Sequence, residues 1–270
     1  MTTGTLLSPD RVTAVVRPER RDRAKLRGTA ALAASAVLLA AVWSVLTWIS
    51  DGWIPSVGEI GAAAVGILGD GETAKTILVT SQRIAIAFFV ATPLGFLVGF
   101  AMGLNKYLEG YFRPLVIMML ATPDPVYIIV VVLLLGATET SSLVALTLAV
   151  LPFVVTIVHA NVKARDRSLD DMSRVYRFTR KQYTTQVLAR QVAPALILAA
   201  RTSFAFAWKI VVLVEALSQP KGVGAQIYYE FRLLDAASMI AWTIIFIVLM
   251  RVVDAVVFGT LERRLLAWSR

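Results

Sequence analysis

The stretch that decides the fold is residues 161–217, NVKARDRSLDDMSRVYRFTRKQYTTQVLARQVAPALILAARTSFAFAWKIVVLVEAL. Its two halves call for different solvents. Residues 161–191 carry eight Lys and Arg. Residues 192–217 form an apolar run longer than the about 20 residues a helix needs to cross a bilayer. In the first half Leu169, Met172, Val175, Tyr176 and Phe178 recur mainly at spacings of three and four with charges between them, the pattern of a short amphipathic helix. Ser168 is a candidate cap, and Asp170 and Asp171 fall in the first turn, where the helix dipole favours negative charge. Such a helix cannot bury its apolar stripe alone. It lies on the membrane surface among anionic headgroups, or it inserts into a partner protein. Val187 and Pro194 lead straight into the span, and a proline near a helix start is compatible with helix geometry. The unit reads as a docking helix attached to a transmembrane helix, able to pass motion from a cytoplasmic motor into a bundle.

The rest of the chain supports a membrane setting. Of 270 residues, 57% are apolar and 17% charged, and the mean hydropathy is +0.71. A soluble domain would carry roughly 25% charged residues. Five further apolar blocks are long enough to span, so the expected spans are about 28–50, 75–103, 115–136, 141–160, 192–217 and 236–259. They are apolar on all sides, which favours helices over the alternating pattern of a barrel. The first block follows a basic lead, but its length and the lack of a clear cleavage site before Asp51 favour an uncleaved anchor over a signal peptide. The expected organisation is a basic N-terminal segment, 1–27, and a transmembrane domain, 28–265.

The formal charge is +9. Nucleic-acid binding is disfavoured, because the basic residues lie between apolar blocks rather than across one face. Twenty of the 27 Lys and Arg fall in residues 1–27, the 106–113 turn, the 161–191 loop and the tail, against three (Lys75, Lys221, Arg232) in the alternate loops. That split predicts both termini in the cytoplasm.

Several ordered segments are similar to a known family. Asp171-Met172-Ser173, Arg177 and Val187 fall in the register of a loop pattern E-A-A-x-x-x-G-x9-I-x-L-P. Phe206-Ala207-Trp208-Lys209 through Glu215-Ala216-Leu217 resembles an aromatic-rich span ending in valine-alanine-glutamate. Gly222-Val223-Gly224 resembles an external Gly-x-Gly turn, Trp53-Ile54-Pro55-Ser56 an entry motif, and Thr80-Ser81-Gln82-Arg83 a serine-x-arginine opening; Pro123 and Gly136 bracket the third span. Over residues 40–265 the chain resembles the permease subunit of a bacterial ATP-binding-cassette importer, in the branch handling sulfonates, taurine, nitrate and thiamine-precursor-like compounds. The resemblance implies an all-α membrane protein of type I importer architecture, with about six transmembrane helices and a coupling helix between the fourth and fifth. It implies two cytoplasmic ATPase subunits, a second permease (a second copy or a paired paralogue), an extracytoplasmic substrate-binding protein and a place in the bacterial cytoplasmic membrane. It assigns ATPase docking to Asp171, Met172, Ser173, Arg174, Tyr176, Arg177 and Phe178, and implies a small organic anion as substrate. Three positions depart from the pattern. Arg177 replaces the glycine, Ala189-Arg190 replaces Leu-Pro, and Ile129 stands where a proline is usual. Arginine in a left-handed turn costs about 1 kcal/mol or forces a different turn.

Ionisable groups inside spans are functional candidates. Glu215 is either a gate or pathway contact, or the partner of Lys209 or Arg83. Lys209 and Arg201 lie eight apart; lining a pathway they would favour an anion, while Arg201 could equally snorkel to the headgroups. Arg251 and Asp254 are spaced to neutralise each other. Asp124, between Pro123 and Pro125, marks a disturbed helix whose freed backbone groups need protein or water beside them. The six tryptophans mostly suit interfacial belts, with Trp208 also a candidate for substrate stacking. Gly95, Gly99 and Gly103 form a small-residue face for helix contact. No cysteine is present and His159 is the only histidine, so no metal or cofactor is expected. No phosphate-binding Gly-Lys-Ser/Thr loop or catalytic motif appears, so energy must come from a partner. A membrane-embedded substrate-binding subunit and an intramembrane enzyme are the competing classes.

Overall fold

The computed structural model describes residues 34–35, 37–50, 52–219 and 221–265, with side chains as far as Val257. The basic segment 1–27, residues 28–33 of the expected first span, Trp268 and the last residues of the tail lie outside the described residues. Residues to Val57 and residues from Gly58 form separate units. In the first, helix α1 (Val37–Ile49) carries Trp43, whose indole N–H donates to the Pro55 carbonyl at 2.9 Å.

From Val57 onward the described residues form helices joined by short turns, with no strand among them: α2 (Val57–Gly69), α3 (Thr73–Leu104), α4 (Lys106–Ala121), α5 (Asp124–Leu135), α6 (Glu139–Lys163), α7 (Arg167–Val175), α8 (Arg180–Ser218), α9 (Val223–Leu233) and α10 (Ala236–Leu265). Helices α3, α6, α8 and α10 are long and apolar enough to cross a membrane. The expected third span is not one helix. It is α4 and α5, bent by 98° at Thr122–Pro123. Pro123 explains the break: it disfavours helical geometry at Thr122, which is extended, while Pro125 sits in the first turn of α5, where its missing donor costs nothing. Helix α4 also starts nine residues earlier than expected, because the Asn105 side chain caps it by accepting the Tyr107 N–H at 2.9 Å.

The bundle is built around the contact of α3 with α6. A Cβ added to Gly95 or Gly103 would sit about 2.6 Å from the Cβ of Val154 or Val162, and one on Gly99 would meet the Val155 carbonyl. The backbones therefore approach as small-residue faces allow. Val150, Val154, Val158 and Val162 of α6 are fully buried against Ala87 and Ala91 of α3 and Ala199, Ala207, Val211 and Val214 of α8. Trp208 and Trp242 belong to this core rather than to an interfacial belt. Trp208 stacks on Phe246 with ring centroids 4.6 Å apart, and its indole N–H donates to the Phe246 carbonyl at 3.3 Å.

The expected 161–191 loop is mostly helical. Helix α6 runs on to Lys163, and α8 begins at Arg180, so Pro194 lies inside a helix rather than near its start. Residues Tyr183–Leu188 of α8 are π-helical, with the Ala189 N–H donating to the Thr184 carbonyl five residues back.

Candidate functional site

Two polar assemblies stand at opposite ends of the bundle. At one end, Glu215 of α8 is fully buried. Its carboxylate accepts from Arg83 Nη1 at 2.6 Å, Thr80 Oγ1 at 3.0 Å and the Gly224 N–H at 2.9 Å. Arg83, itself buried, also donates through Nε to Glu139 Oε2 at 2.8 Å, through Nη2 to Glu139 Oε1, and to the Lys221 carbonyl at 2.7 Å. Thr80 Oγ1 accepts the Val223 N–H at 2.8 Å. Of the two partners open from the sequence, Glu215 takes Arg83. The Gly-x-Gly turn now has a physical reason. Gly222 sits at φ +127°, and a Cβ there would fall on the Glu215 carboxylate; one on Gly224 would strike the Val212 backbone. The knot joins α3, the start of α6, α8 and α9. Beside it, Ser142 and Ser218 hydroxyls lie 2.8 Å apart, and Gln219 Nε2 donates to the Thr138 carbonyl at 2.6 Å.

At the other end lies α7. Asp166, not Ser168, is its cap, accepting the Ser168 N–H at 2.8 Å. Hydrogen bonds from the Ser168 hydroxyl and amide hold the Asp166 carboxyl below the usual carboxylate range. Asp170 ties α7 to both neighbours. It accepts from Arg165, just past α6, at 3.1 Å and from the Tyr183 hydroxyl in the π-helical turn at 2.9 Å. The Asp166 N–H donates to Gln191 Oε1 of α8 at 2.8 Å. The sequence placed Asp170 in the first turn but gave no sign of its partners, which come from other helices.

The ends of α7 close in a Schellman arrangement. Phe178 N–H donates to the Ser173 carbonyl at 2.9 Å and Arg177 N–H to the Arg174 carbonyl at 3.1 Å. Arg177 adopts φ +51°. The chain keeps the turn a glycine would make and holds an arginine in it. Ser173 is buried and donates to the Asp170 carbonyl at 2.6 Å. Phe178 is half-buried, and Asp171 pairs with Arg174 at 3.6 Å on the exposed side. Val175 is 78% exposed and Tyr176 72%, with Leu169 and Met172 at 37% and 38%. This apolar surface has no cover in the chain's described residues.

The remaining candidates separate. Asp124 accepts from its own helix, from the Tyr127 hydroxyl at 2.7 Å, beside a cleft of about 350 Å³ lined by Met118, Met119, Thr122, Tyr127 and Leu148. Arg201 pairs with Asp254 of α10 at 3.0 Å, and Arg251 reaches the same carboxylate at 3.6 Å. Lys209 is exposed between buried Trp208 and Ile210. His159 lies 3.3 Å from Glu109, and no group of metal-ligating side chains occurs among the described residues.

A bundle of helices long and apolar enough to cross a membrane, with an amphipathic helix held at one end, is the architecture of an all-α membrane protein. The chain belongs to the binding-protein-dependent transport system inner membrane component family, whose model matches residues 91–266. It is 26% identical over 234 residues to the SsuC permease protein of Bacillus subtilis (strain 168), named for transport of aliphatic sulfonates, covering 86% of this chain and 84% of that protein. It is 24% identical over 247 residues to the taurine transport system permease protein TauC of Escherichia coli (strain K12), covering 89% and 90%. It is 24% identical over 182 residues to the nitrate import permease protein NrtB of Synechococcus elongatus, covering 65% and 62%. The protein is thus a multi-pass inner-membrane permease subunit of an ATP-binding-cassette importer and forms the translocation pathway. Its partners are an ATPase and a substrate-binding protein, and its family is one of transport subunits rather than enzymes.

Proposed function

We propose that this permease works beside a second permease, a second copy or a paired paralogue, above two ATPase subunits, with both termini in the cytoplasm, and imports a small organic anion of the sulfonate, taurine or nitrate kind. The observation that carries the reading is α7. It is clamped through Asp170 to the end of α6 and the start of α8, yet presents Met172, Val175 and Tyr176 outward. A helix merely resting on lipid needs no such clamp. A helix that transmits force does. The docking surface is Asp171 to Phe178, with Ser173 buried beneath it and Arg177 shaping its end. The lysine and arginine distribution supports the orientation, and the names of the relatives support the substrate class.

The Glu215 knot then lies at the outer end of the pathway. Glu215 acts on gating through the helices it joins, not by touching substrate, because its oxygens are already occupied. Trp208 fixes α8 against α10, and Asp124 stiffens the first turn of α5 through Tyr127.

The test is reconstitution of the permease with its ATPase in liposomes, with the binding protein supplied on the outer face. The reading predicts ATP-dependent accumulation of taurine, methanesulfonate or nitrate, abolished when the binding protein is left out. ATP-dependent accumulation of none of them contradicts the substrate class. Failure of the ATPase to co-purify contradicts the assembly.

A further inference from the structure

We propose that Lys209 is a fixed counter-charge in the translocation pathway, the point at which the anion's charge is met inside the membrane. The inference rests on the permease reading and the small-anion substrate class above.

Lys209 shares the spanning helices with Arg83, Arg201, Glu215, Arg251 and Asp254. Arg83 is matched by Glu215 and Glu139, and Arg201 and Arg251 by Asp254. Lys209 alone of this set has no ionic or hydrogen-bonding partner among the described residues. A charged group facing lipid at that depth is strongly disfavoured, and such groups turn to a bundle interior or a water-filled cavity. Snorkelling does not rescue it. Lys209 lies nine residues before the end of α8 at Ser218, about 13 Å at 1.5 Å per residue. In the other direction α8 continues for well over the about 30 Å of a hydrocarbon core.

The face that carries Lys209 is open. Trp208 and Ile210 on either side are buried, so the lysine projects away from the core of its own subunit. Ala205 and Ala216, one and two turns away on that side, are small, and Phe206, Val212 and Leu213, the nearer neighbours, are half-buried while Lys209 is exposed. Thr202, two turns towards the α7 end, is exposed on the same face and supplies a hydroxyl. A lysine suits transit. It is a compact charge with rotatable donors, without the two-pronged grip of arginine on a carboxylate or phosphate. Conduction needs attraction strong enough for entry and weak enough for exit. The ligand class is a solute with a small oxyanion group, which methanesulfonate and nitrate carry alone and taurine carries beside an ammonium.

The chain contains no cysteine, so Lys209→Cys introduces one thiol into each copy of this chain, the partner subunits being used with their own cysteines replaced by serine. The probes are taurine, methanesulfonate and nitrate. Uptake should fall at least tenfold. Aminoethyl methanethiosulfonate, which leaves a positive charge on the thiol, should restore at least half of it. Sulfonatoethyl methanethiosulfonate, which leaves a negative charge, should restore none. Wild-type rates in Lys209→Cys, a thiol that neither water-soluble reagent modifies, or equal rescue by both would overturn the inference and leave the permease reading intact. So would loss of the second permease or of the ATPase from the purified variant, which would mark Lys209 as an assembly contact. If the wild-type transporter moves a solute without an oxyanion group and none of the three probes, the substrate class fails and this inference fails with it.

Discussion

The two ends of the bundle solve opposite problems. At the Glu215 end, buried charge is closed on itself. Arg83 serves two carboxylates and a carbonyl, Glu215 accepts from three donors, and two glycines bring the backbone close enough to complete the set. At the α7 end, Asp170 and Asp166 are satisfied while the buried Gln191 Nε2 has no partner among the described residues, and the apolar groups face outward. Asp170 and Asp166 fix the helix, while Val175 and Tyr176 remain uncovered. The first end is finished within one chain. In our proposal the second is finished by another protein. The difference then places rigidity and the proposed partner surface at opposite ends of the same helix, α8.

The largest expected effect comes from opening the closed end. Arg83→Leu leaves Glu215 buried without its cation, and breaking one side of a buried pair costs about 3–5 kcal/mol. We expect low yield of folded permease and a strongly lowered thermal midpoint in detergent. The double variant Arg83→Leu with Glu215→Leu removes both charges and should recover much of the loss, which a double-mutant cycle measures as coupling. Additive losses would show that the two side chains do not act as a pair.

The smallest effect is expected at Arg177. A non-glycine residue in the left-handed region costs about 1 kcal/mol, so Arg177→Gly relaxes the end of α7. Slower hydrogen exchange of the Arg177 and Phe178 amides should result, with no change at the Glu215 end. Faster exchange would mean that the arginine side chain contributes more than its backbone strain removes.

Much of this was legible in the sequence, for identifiable reasons. The glycine stripe of α3 and the amphipathic spacing of α7 are local properties, and local properties survive folding, whereas the left-handed turn at 177 came from the family resemblance, in which a glycine stands there. The bend at Thr122–Pro123 was legible as a disturbance, because two prolines flank Asp124. Its 98° angle was not, because it depends on what α4 and α5 pack against. The start of α8 was missed because the reading tracked hydropathy, and a helix that leaves the membrane continues through polar residues such as Arg180 and Gln182. The partners of Asp170, the choice of Arg83 by Glu215 and the burial of Trp208 and Trp242 are relations between helices far apart in sequence. No periodicity within one helix encodes which neighbour it will face.

The central claim is that the open surface of α7 is where the ATPase binds. The direct measurement is the amount of ATPase retained on the purified permease carrying Val175→Asp and Tyr176→Ala, both well exposed and so harmless to the fold. The account predicts unchanged permease yield and thermal midpoint with at least a tenfold loss of bound ATPase. Full retention of the ATPase on this variant would contradict it.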